Sequence, residues 1–404
     1  MNTLEDSVPP SAAAPAKPAF EDAGEAAFHL PEVVTLAAAH GAHDTYFSYL
    51  PTILPLLIKS LSLNTTQGGL LTVFSQFPSL VQPAIGHLAD RRNLKMVVIL
   101  APALSGLLIT LVGVAPSFGA AAVLLLLAGF STAGFHAIAP SMISAKSGRK
   151  VGRGMGFFMV GGEVGFGLGP LLVVAAIGYL TLRGLPWLMS LGMLASVILY
   201  FRLKPASTVR HTQSEPGLSF GQTLAQMRPL MLPIMTITLI TGFLNANIEN
   251  YLPTFMTSEG AAFAVAGASL AVVELSSIVG LTLMGLFSDR VGQRNIVLWG
   301  ILGSAAFSTG FLLLPGWLKV GMLAGVGLTA FVANPAFLSI IQARFTQNRS
   351  LAGGVYMSAN FLLRSVGVVI VGILADRYGL RPVFIGSTAM ILLTLPFIFM
   401  LPER

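Results

Sequence analysis

Two stretches of the chain repeat one pattern of residues: GHLADRR at positions 86–92 and GLFSDRVG at positions 285–292. Both read G-x-x-[AS]-D-R, and the two copies begin 199 residues apart. A weaker pair lies at a similar offset of 194 residues, with GYLTLRG at 178–184 and GILADRYG at 372–379. These repeats predict a chain built from two related halves that follow each other in the same order.

The composition around these stretches is that of a membrane protein. Of the 404 residues, 54% are hydrophobic and 10% are charged, and the mean hydropathy is +0.80. Soluble domains carry about 25% charged residues, so this composition excludes a cytosolic enzyme, a disordered protein and a fibrous protein. The absence of cysteine excludes disulfides and thiolate metal sites. We therefore expect an all-α polytopic membrane protein.

Twelve transmembrane helices fit the apolar part of the chain, because one span needs about 20 residues. Residues 1–31 are acidic and rich in proline and alanine, which predicts a disordered cytoplasmic N-terminal tail. A polar linker at 204–226 separates an N-terminal six-helix half, 32–203, from a C-terminal six-helix half, 227–404. The predicted spans are 32–58, 66–86, 95–114, 118–144, 152–178, 185–202, 227–255, 262–285, 295–314, 318–343, 351–374 and 382–401.

The distribution of lysine and arginine predicts the orientation. Fifteen of these residues flank the loops after the even-numbered spans 2 to 10, and five lie on the opposite side. Cytoplasmic loops carry the excess of positive charge, so both termini are expected in the cytoplasm of a bacterial-type inner membrane. The basic residues stand in short loops with few aromatic residues, which argues against nucleic-acid binding.

The repeated loop resembles the signature loop of major facilitator transporters, and it lies at the same topological place in both halves. Two six-helix halves related by a parallel repeat are the architecture of that superfamily. The resemblance implies that the loop acid and arginine form a cytoplasmic lock between the halves. The gating residues would be Asp90, Arg91, Asp289 and Arg290; the alternative is that they are ordinary loop charges.

Three further motifs resemble the fosmidomycin-resistance branch of the superfamily. They are AHGAHD at 39–44 in span 1, GFH at 134–136 in span 4, and VGGEVG at 160–165, followed by LGPLL at 168–172, in span 5. The resemblance implies export of small toxic solutes in exchange for protons. The branch commonly continues the span 4 motif as F-H-P-E, whereas Ala137 and Ile138 follow here, so a carboxylate is missing from that place.

Span 1 carries the predicted proton-coupling residues. His40 and Asp44 are four residues apart and share a helix face, and His43 borders it. A carboxylate beside imidazoles makes a proton site, and Glu163 in span 5 is assigned to the same role. The alternative is a buried polar network that only joins helices. No metal site and no cofactor are predicted.

The predicted substrate-binding residues are polar side chains inside the other spans, where ionisable groups are costly and mark function. Arg364 in span 11 needs an anion, either a substrate or a carboxylate such as Asp44 or Glu163. Spans 5 and 8 are expected to pack together, and span 11 beside span 2. The remaining candidates for substrate binding are His136, Tyr46, Asn245, Glu249, Asn334 and Glu274.

These observations predict a secondary transporter that works by alternating access, not an enzyme. No phosphate-binding loop of the type that binds ATP is present. We expect a proton-coupled exporter of a small polar or anionic solute, such as a phosphonate-type antibiotic, acting as a monomer in the lipid bilayer. The alternatives are a proton-coupled uptake symporter for a small organic anion and a membrane sensor that does not transport.

Overall fold

The computed structural model describes residues 28–89, 92–148, 150–203, 220–345 and 349–403. Helices account for nearly all of these residues, and they group into twelve spans in chain order. Ten stretches of the described residues are helical and are long and apolar enough to cross a membrane. Spans 1 and 2 are the other two, and a change in helix geometry interrupts each of them.

The first six spans have these bounds: span 1, Leu30–Phe47 and Tyr49–Ser60; span 2, Thr65–Gln76, Phe77–Val81 and Gln82–Ala89; span 3, Lys95–Leu111 and Val112–Val114; span 4, Phe118–Ser147; span 5, Val151–Leu180; span 6, Leu182–Leu188 and Met189–Arg202.

The second six spans have these bounds: span 7, Phe220–Ala246, Asn247–Tyr251 and Leu252–Ser258; span 8, Phe263–Val291; span 9, Gln293–Leu313; span 10, Gly316–Ala330 and Ala333–Arg344; span 11, Arg349–Tyr378; span 12, Leu380–Met390, Ile391–Thr394 and Leu395–Ile398.

Each predicted span coincides with one of these spans, and the bounds differ where a helix continues beyond its apolar stretch. Span 7 begins at Phe220, so residues 220–226 of the predicted linker are helical. Most of the predicted N-terminal tail lies outside the described residues, as do residues 204–219 of the linker.

Proline accounts for the irregular geometry of spans that reach the centre of the molecule. Proline lacks the backbone N–H that continues an α-helix, and its ring clashes with the preceding turn. Pro51 follows the turn at Ser48, Pro78 lies in the 3-10 segment of span 2, and Pro253 follows the π-helical segment Asn247–Tyr251. These interruptions turn polar backbone and side chains toward the interior, where a membrane protein tolerates them.

Glycine sets how closely spans 1 and 5 approach each other. A Cβ atom on Gly161 would collide with the backbone carbonyl of Ala37, and a Cβ atom on Gly165 would collide with that of Gly41. These glycines of span 5 therefore contact span 1 directly, as small residues do between membrane helices. Spans 7 and 11 form the corresponding contact in the second half.

The two halves meet mainly along two pairs of spans, and the ends of spans 1 and 7 also touch. Span 5 packs against span 8, and span 2 packs against span 11, as the sequence predicted. Because twelve is an even number, the first span begins and the last span ends on the same side of the membrane, which is called here the terminal side. The opposite side is called the distal side.

A seal joins the halves on the distal side. The Asp376 carboxylate in span 11 accepts hydrogen bonds from the backbone N–H groups of Thr65, at 2.6 Å, and Thr66, at 3.0 Å, and from the Thr66 hydroxyl, at 2.6 Å. It thus caps the N-terminus of span 2 from the other half, where a helix attracts negative charge. The Tyr251 hydroxyl donates to the backbone carbonyl of Val368 at 3.0 Å close by.

Candidate functional site

A cavity of about 490 Å³ lies between the halves, on the terminal side of this seal. Its volume is in the range that holds a drug-sized solute. Its lining includes positions such as Gln82 and Pro335, which lie toward the terminal-side ends of spans 2 and 10. Seven of the predicted proton-coupling and substrate-binding residues line it: Asp44, His136, Glu163, Glu249, Glu274, Asn334 and Arg364.

A cluster of two histidines and one aspartate forms the N-terminal wall of the cavity. His40 Nε2 lies 3.0 Å from Asp44 Oδ2, and His136 Nε2 lies 3.6 Å from Asp44 Oδ1. The two Nε2 atoms lie 3.1 Å from each other. His40 and Asp44 are buried, and His136 is partly exposed to the cavity. We call these three residues the His-Asp cluster.

The hydrogen bonds of the two rings fix their tautomers. His40 Nδ1 lies 2.8 Å from the backbone carbonyl oxygen of Phe158, and His136 Nδ1 lies 3.1 Å from that of Thr132. A carbonyl oxygen only accepts, so each Nδ1 must carry a hydrogen and donate it. A neutral ring then has a bare Nε2, and both Nε2 atoms point at each other and at Asp44.

This arrangement needs a proton between the three side chains. Without one, two nitrogen lone pairs and a carboxylate would face one another in a buried site with no donor among them. One proton on His40, His136 or Asp44 supplies that donor, and a hydrogen bond involving a charged group is stronger than a neutral one. The His-Asp cluster is therefore a place where a proton can be held and exchanged near the cavity.

His43 lies outside this cluster, contrary to its predicted place beside Asp44. Its Nε2 is 3.0 Å from the Thr132 hydroxyl, its Nδ1 is 3.2 Å from the Ser105 hydroxyl, and its ring stacks on Phe135. Adjacent residues of a helix point in different directions, so His43 and Asp44 do not share a face. The second imidazole at Asp44 is His136, which the sequence had assigned to substrate binding.

The same three side chains are the one group among the described residues whose geometry could hold a metal ion. The ligand atoms of His40, Asp44 and His136 all lie within 4.8 Å of one another. Imidazole and carboxylate ligands suit several divalent metals, so assays of this site need a chelator as a control.

An ion pair forms the opposite wall of the cavity. The Arg364 guanidinium in span 11 donates to the Glu249 carboxylate in span 7. The sequence had named Asp44 or Glu163 as the internal partner, but both lie in the other half, whereas spans 7 and 11 are in direct contact. An anion that enters the cavity would therefore compete with Glu249 for Arg364.

Two more carboxylates line the cavity without a partner. Glu163 in span 5 and Glu274 in span 8 have no salt bridge and no side-chain hydrogen bond within the described part of the chain. Asn334 lines the cavity as well, and the Tyr356 hydroxyl donates to its Oδ1 at 3.3 Å.

Tyr46 and Asn245 are not among the residues that line this cavity, and their predicted contact with substrate stays a prediction. The buried Tyr46 hydroxyl donates to the backbone carbonyl of Leu188 at 2.8 Å and accepts from the backbone N–H of Gly192 at 2.6 Å. This pair of hydrogen bonds ties span 1 to span 6. Asn245 lines a small separate void inside the C-terminal half.

The structure describes only one of the four predicted gating side chains, that of Arg290. Asp90 and Arg91 lie outside the described residues, and so does the side chain of Asp289. Arg290 is exposed at the terminal-side end of span 8. The lock that these four residues were predicted to form remains a prediction.

The sequence did not single out two residues that the structure gives a place in or near the site. Thr72 is one of the residues that line the cavity, and Asp376 seals its distal side. Asp376 could have been found, because it belongs to the repeated GILADRYG stretch. Thr72 had no such signal, because a threonine in an apolar span is common.

Comparisons with known proteins agree with this architecture. A family model described as Major Facilitator Superfamily matches residues 36–368. The chain is 26% identical over 382 residues to the fosmidomycin resistance protein of Escherichia coli K12, covering 91% of this chain and 92% of that protein. It is also 26% identical over 369 residues to the multidrug resistance protein MdtG of Enterobacter lignolyticus, with 86% of each covered.

Among solved structures, a similar fold is that of a bacterial homologue of the human lysosomal transporter Spinster, in an inward-facing and occupied conformation. The TM-score is 0.74 at 16% sequence identity, and the match covers 92% of this chain and 95% of that one. The family match spans most of the chain, including the His-Asp cluster and the Arg364–Glu249 pair. This chain therefore belongs to the Major Facilitator Superfamily of membrane transporters.

Proposed function

We propose that the protein is a proton-coupled exporter that exchanges a small polar solute for protons by alternating access. It would lie in the inner membrane of a bacterium with both termini in the cytoplasm, so that the cavity faces the cytoplasm in this conformation. The observation that carries the proposal is the His-Asp cluster, which needs a proton and lies on the wall of a cavity that both halves line.

The coupling follows from what each ligand does to the two facing states. A proton on Asp44, His40 or His136 changes the charge of the cavity wall, and a solute in the cavity contacts both halves. Each ligand shifts the conformational equilibrium only by its difference in affinity for the two states. Export of the solute, driven by protons that move down their gradient, results when the proton stabilises one facing state and the solute stabilises the other.

The remaining residues have roles around this cluster. Glu163 lies on the same side of the cavity and is a second candidate for the coupling proton. His43 would act indirectly, by orienting Thr132, whose carbonyl receives the hydrogen of His136 Nδ1. The solute would be held by the lining residues His136, Glu249, Glu274, Asn334 and Arg364, and the terminal-side lock by Asp90, Arg91, Asp289 and Arg290.

A second candidate function is proton-coupled uptake of a small organic anion, and the Arg364–Glu249 pair favours it. A proton on Glu249 would weaken the ion pair and leave the guanidinium for an anion. Proton and anion would then bind together, which is the behaviour of a symporter. The name of the relative from Escherichia coli makes fosmidomycin, a phosphonate, the first anion to test.

The test is proton flux in proteoliposomes that contain a pH-reporting dye, with a metal chelator in all buffers. The probes are fosmidomycin, small carboxylates and organic cations, each added to one side of the membrane. We expect at least one probe to drive proton movement, and the Asp44→Asn variant to reduce it at least about a hundredfold, because that carboxylate is the charge that the coupling proton neutralises.

The sign of the flux separates exporter from symporter. The control is Glu32→Gln, which removes a carboxylate at the start of span 1, outside the cavity lining, and should leave flux unchanged. Full proton-driven transport by Asp44→Asn would contradict the proposal.

A further inference from the structure

The charges on the cavity wall are strongly unequal. Its described lining contains the carboxylates Asp44, Glu163, Glu249 and Glu274 but one guanidinium, that of Arg364. Arg364 is already bound to Glu249, and Asp44 is already within reach of two imidazoles. The unbalanced part of the wall is therefore the pair of remaining carboxylates.

These two carboxylates come from different halves and lie on spans that touch. Glu163 is on span 5 and Glu274 is on span 8. The contact between the spans is close, because a Cβ atom on Gly167 would collide with the side chain of Leu275, the neighbour of Glu274. Both side chains line the same cavity, so a solute there can reach one acceptor from each half.

A buried amide adds a third acceptor. Asn250, in the π-helical segment of span 7, is 5% exposed and lines the cavity. Its Nδ2 donates to the backbone carbonyl of Ala246 at 3.2 Å, which identifies the other amide atom as oxygen. That Oδ1 has no hydrogen-bond partner among the described residues.

A hydroxyl on the facing half is also unpartnered. Thr72 in span 2 lines the cavity, is 5% exposed, and its buried Oγ1 has no hydrogen-bond partner in the described part of the chain. Buried polar groups are normally hydrogen-bonded, and an unpaired one costs free energy. Because protein atoms cover the Thr72 hydroxyl, Asn250 is the group that points to a polar ligand in the cavity, and its free oxygen accepts a hydrogen bond from a donor on that ligand.

We propose that Glu163, Glu274 and Asn250 bind a positively charged N–H donor group, such as an amine or an amidine, on the transported solute. Two carboxylates and an amide oxygen offer only acceptors, and charge-assisted hydrogen bonds from a nitrogen cation are the strong way to satisfy them. This inference rests on the proposed function and names its substrate class as an organic cation rather than the anion that the sequence suggested.

The charge of the solute has a consequence for the direction of coupling. A cation and protons compete for the same carboxylates, so the solute binds when the protons have left. Competition of this kind is what exchange requires, whereas an anion at Arg364 would bind together with a proton on Glu249. An organic cation is therefore the substrate class that matches an exporter.

The experiment compares three probes of nearly the same shape and different charge: benzamidine, a cation; benzamide, which is neutral; and benzoate, an anion. Binding to the full-length wild-type protein in detergent is measured by calorimetry and by thermal stabilisation. We expect benzamidine to bind at least about tenfold more tightly than benzamide or benzoate, the discrimination of one charge-assisted hydrogen bond or more.

Two variants locate the site. Glu163→Gln and Glu274→Gln should each weaken benzamidine binding about tenfold and leave benzamide binding unchanged, because only the charge is removed. Glu32→Gln is the matched control and should bind all three probes as the wild type does. If a variant does not fold, the wild-type comparison of the three probes still decides.

Tighter binding of benzoate than of benzamidine would overturn the inference, and so would benzamidine binding that neither variant weakens. Failure of this inference is distinguishable from failure of the proposed function. Proton flux driven by fosmidomycin and abolished in Asp44→Asn would support the proton-coupled transporter and reject the cation site. Benzamidine binding without any proton flux would support the cation site and reject the proton-coupled transporter.

Discussion

The two halves place charged side chains at corresponding positions and balance their acids differently. Asp44 in span 1 corresponds to Glu249 in span 7, 205 residues later, and Glu163 in span 5 corresponds to Arg364 in span 11, 201 residues later. These offsets are close to those of the repeated loops. In the C-terminal half the acid is bound to an arginine, whereas in the N-terminal half it is bound to two histidines.

The difference separates a fixed charge from a titratable one. Arginine stays protonated in proteins, so the Arg364–Glu249 pair holds its cation permanently. Histidine changes charge in the physiological range, so the His-Asp cluster can take up and release a proton. If the proposed function holds, this difference predicts proton coupling in the N-terminal half and a permanent structural or binding charge in the C-terminal half.

The sharpest test of this assignment compares two histidines. His136→Gln removes an imidazole that faces Asp44, and we expect proton flux to fall at least about tenfold. His43→Gln removes a ring that contacts Thr132 and Ser105 instead, and we expect a loss of about twofold or less, because its effect is indirect. Both are measured in the proteoliposome assay. An equal loss in both variants would show that the N-terminal cluster is not confined to His40, Asp44 and His136.

The second test breaks the fixed pair. Arg364→Gln leaves the Glu249 carboxylate without its partner, and we expect the free energy of unfolding to fall by about 2 kcal/mol, less than for a fully buried pair because the pair borders a water-accessible cavity. Thermal unfolding in detergent measures it.

The double variant Arg364→Gln with Glu249→Gln is the control for this pair. It should recover much of the lost stability, since it leaves no unpaired charge. A double variant that is less stable than Arg364→Gln alone would contradict the claim that Arg364 stabilises the fold by neutralising the Glu249 carboxylate.

The third and smallest expected effect concerns the distal seal. Its aspartate is again present in only one of the two repeated copies. Asp376 caps span 2, whereas the corresponding stretch GYLTLRG at 178–184 has no aspartate. Asp376→Asn should destabilise the sealed state by about 1 kcal/mol, the usual worth of a helix cap. The distal-open state should therefore become several-fold more populated.

Cysteine labelling measures this change, because the chain has no cysteine of its own. In a Ser75→Cys background, a membrane-impermeant thiol reagent added on the distal side should react faster when Asp376→Asn is present. Glu259→Gln is the control, since Glu259 pairs with Arg381 within the C-terminal half and does not join the halves. Equal labelling rates in Asp376→Asn and Glu259→Gln would show that Asp376 does not stabilise the seal.

Much of the architecture was predictable because it depends on local composition. Apolar stretches of spanning length predict helices wherever they occur, and the repeated loops at 86–92 and 285–292 predict two halves in the same order. The glycines at 161, 165 and 169 make close contacts with span 1 for a similarly local reason, since glycine has no side chain to hold a neighbour away. The family, the twelve-span fold and the transporter class follow from these features.

The partners of the buried polar residues were not predictable in the same way. Sequence spacing paired Asp44 with His40, which the structure confirms, because residues four apart meet on one helix. It also grouped His43 with Asp44 and did not predict the contact between His136 and Asp44, because His136 lies on a different span. Arg364 was expected to meet Asp44 or Glu163, and it meets Glu249, because spans 7 and 11 pack within one half.

The sequence by itself thus determined that the chain crosses a membrane twelve times as two related halves and that span 1 carries a histidine and an aspartate on one helix face. Only the tertiary structure decided which acids are neutralised and which are left open to the cavity. The physical reason is that hydropathy and helix spacing act within one segment, whereas a salt bridge depends on which segments pack side by side.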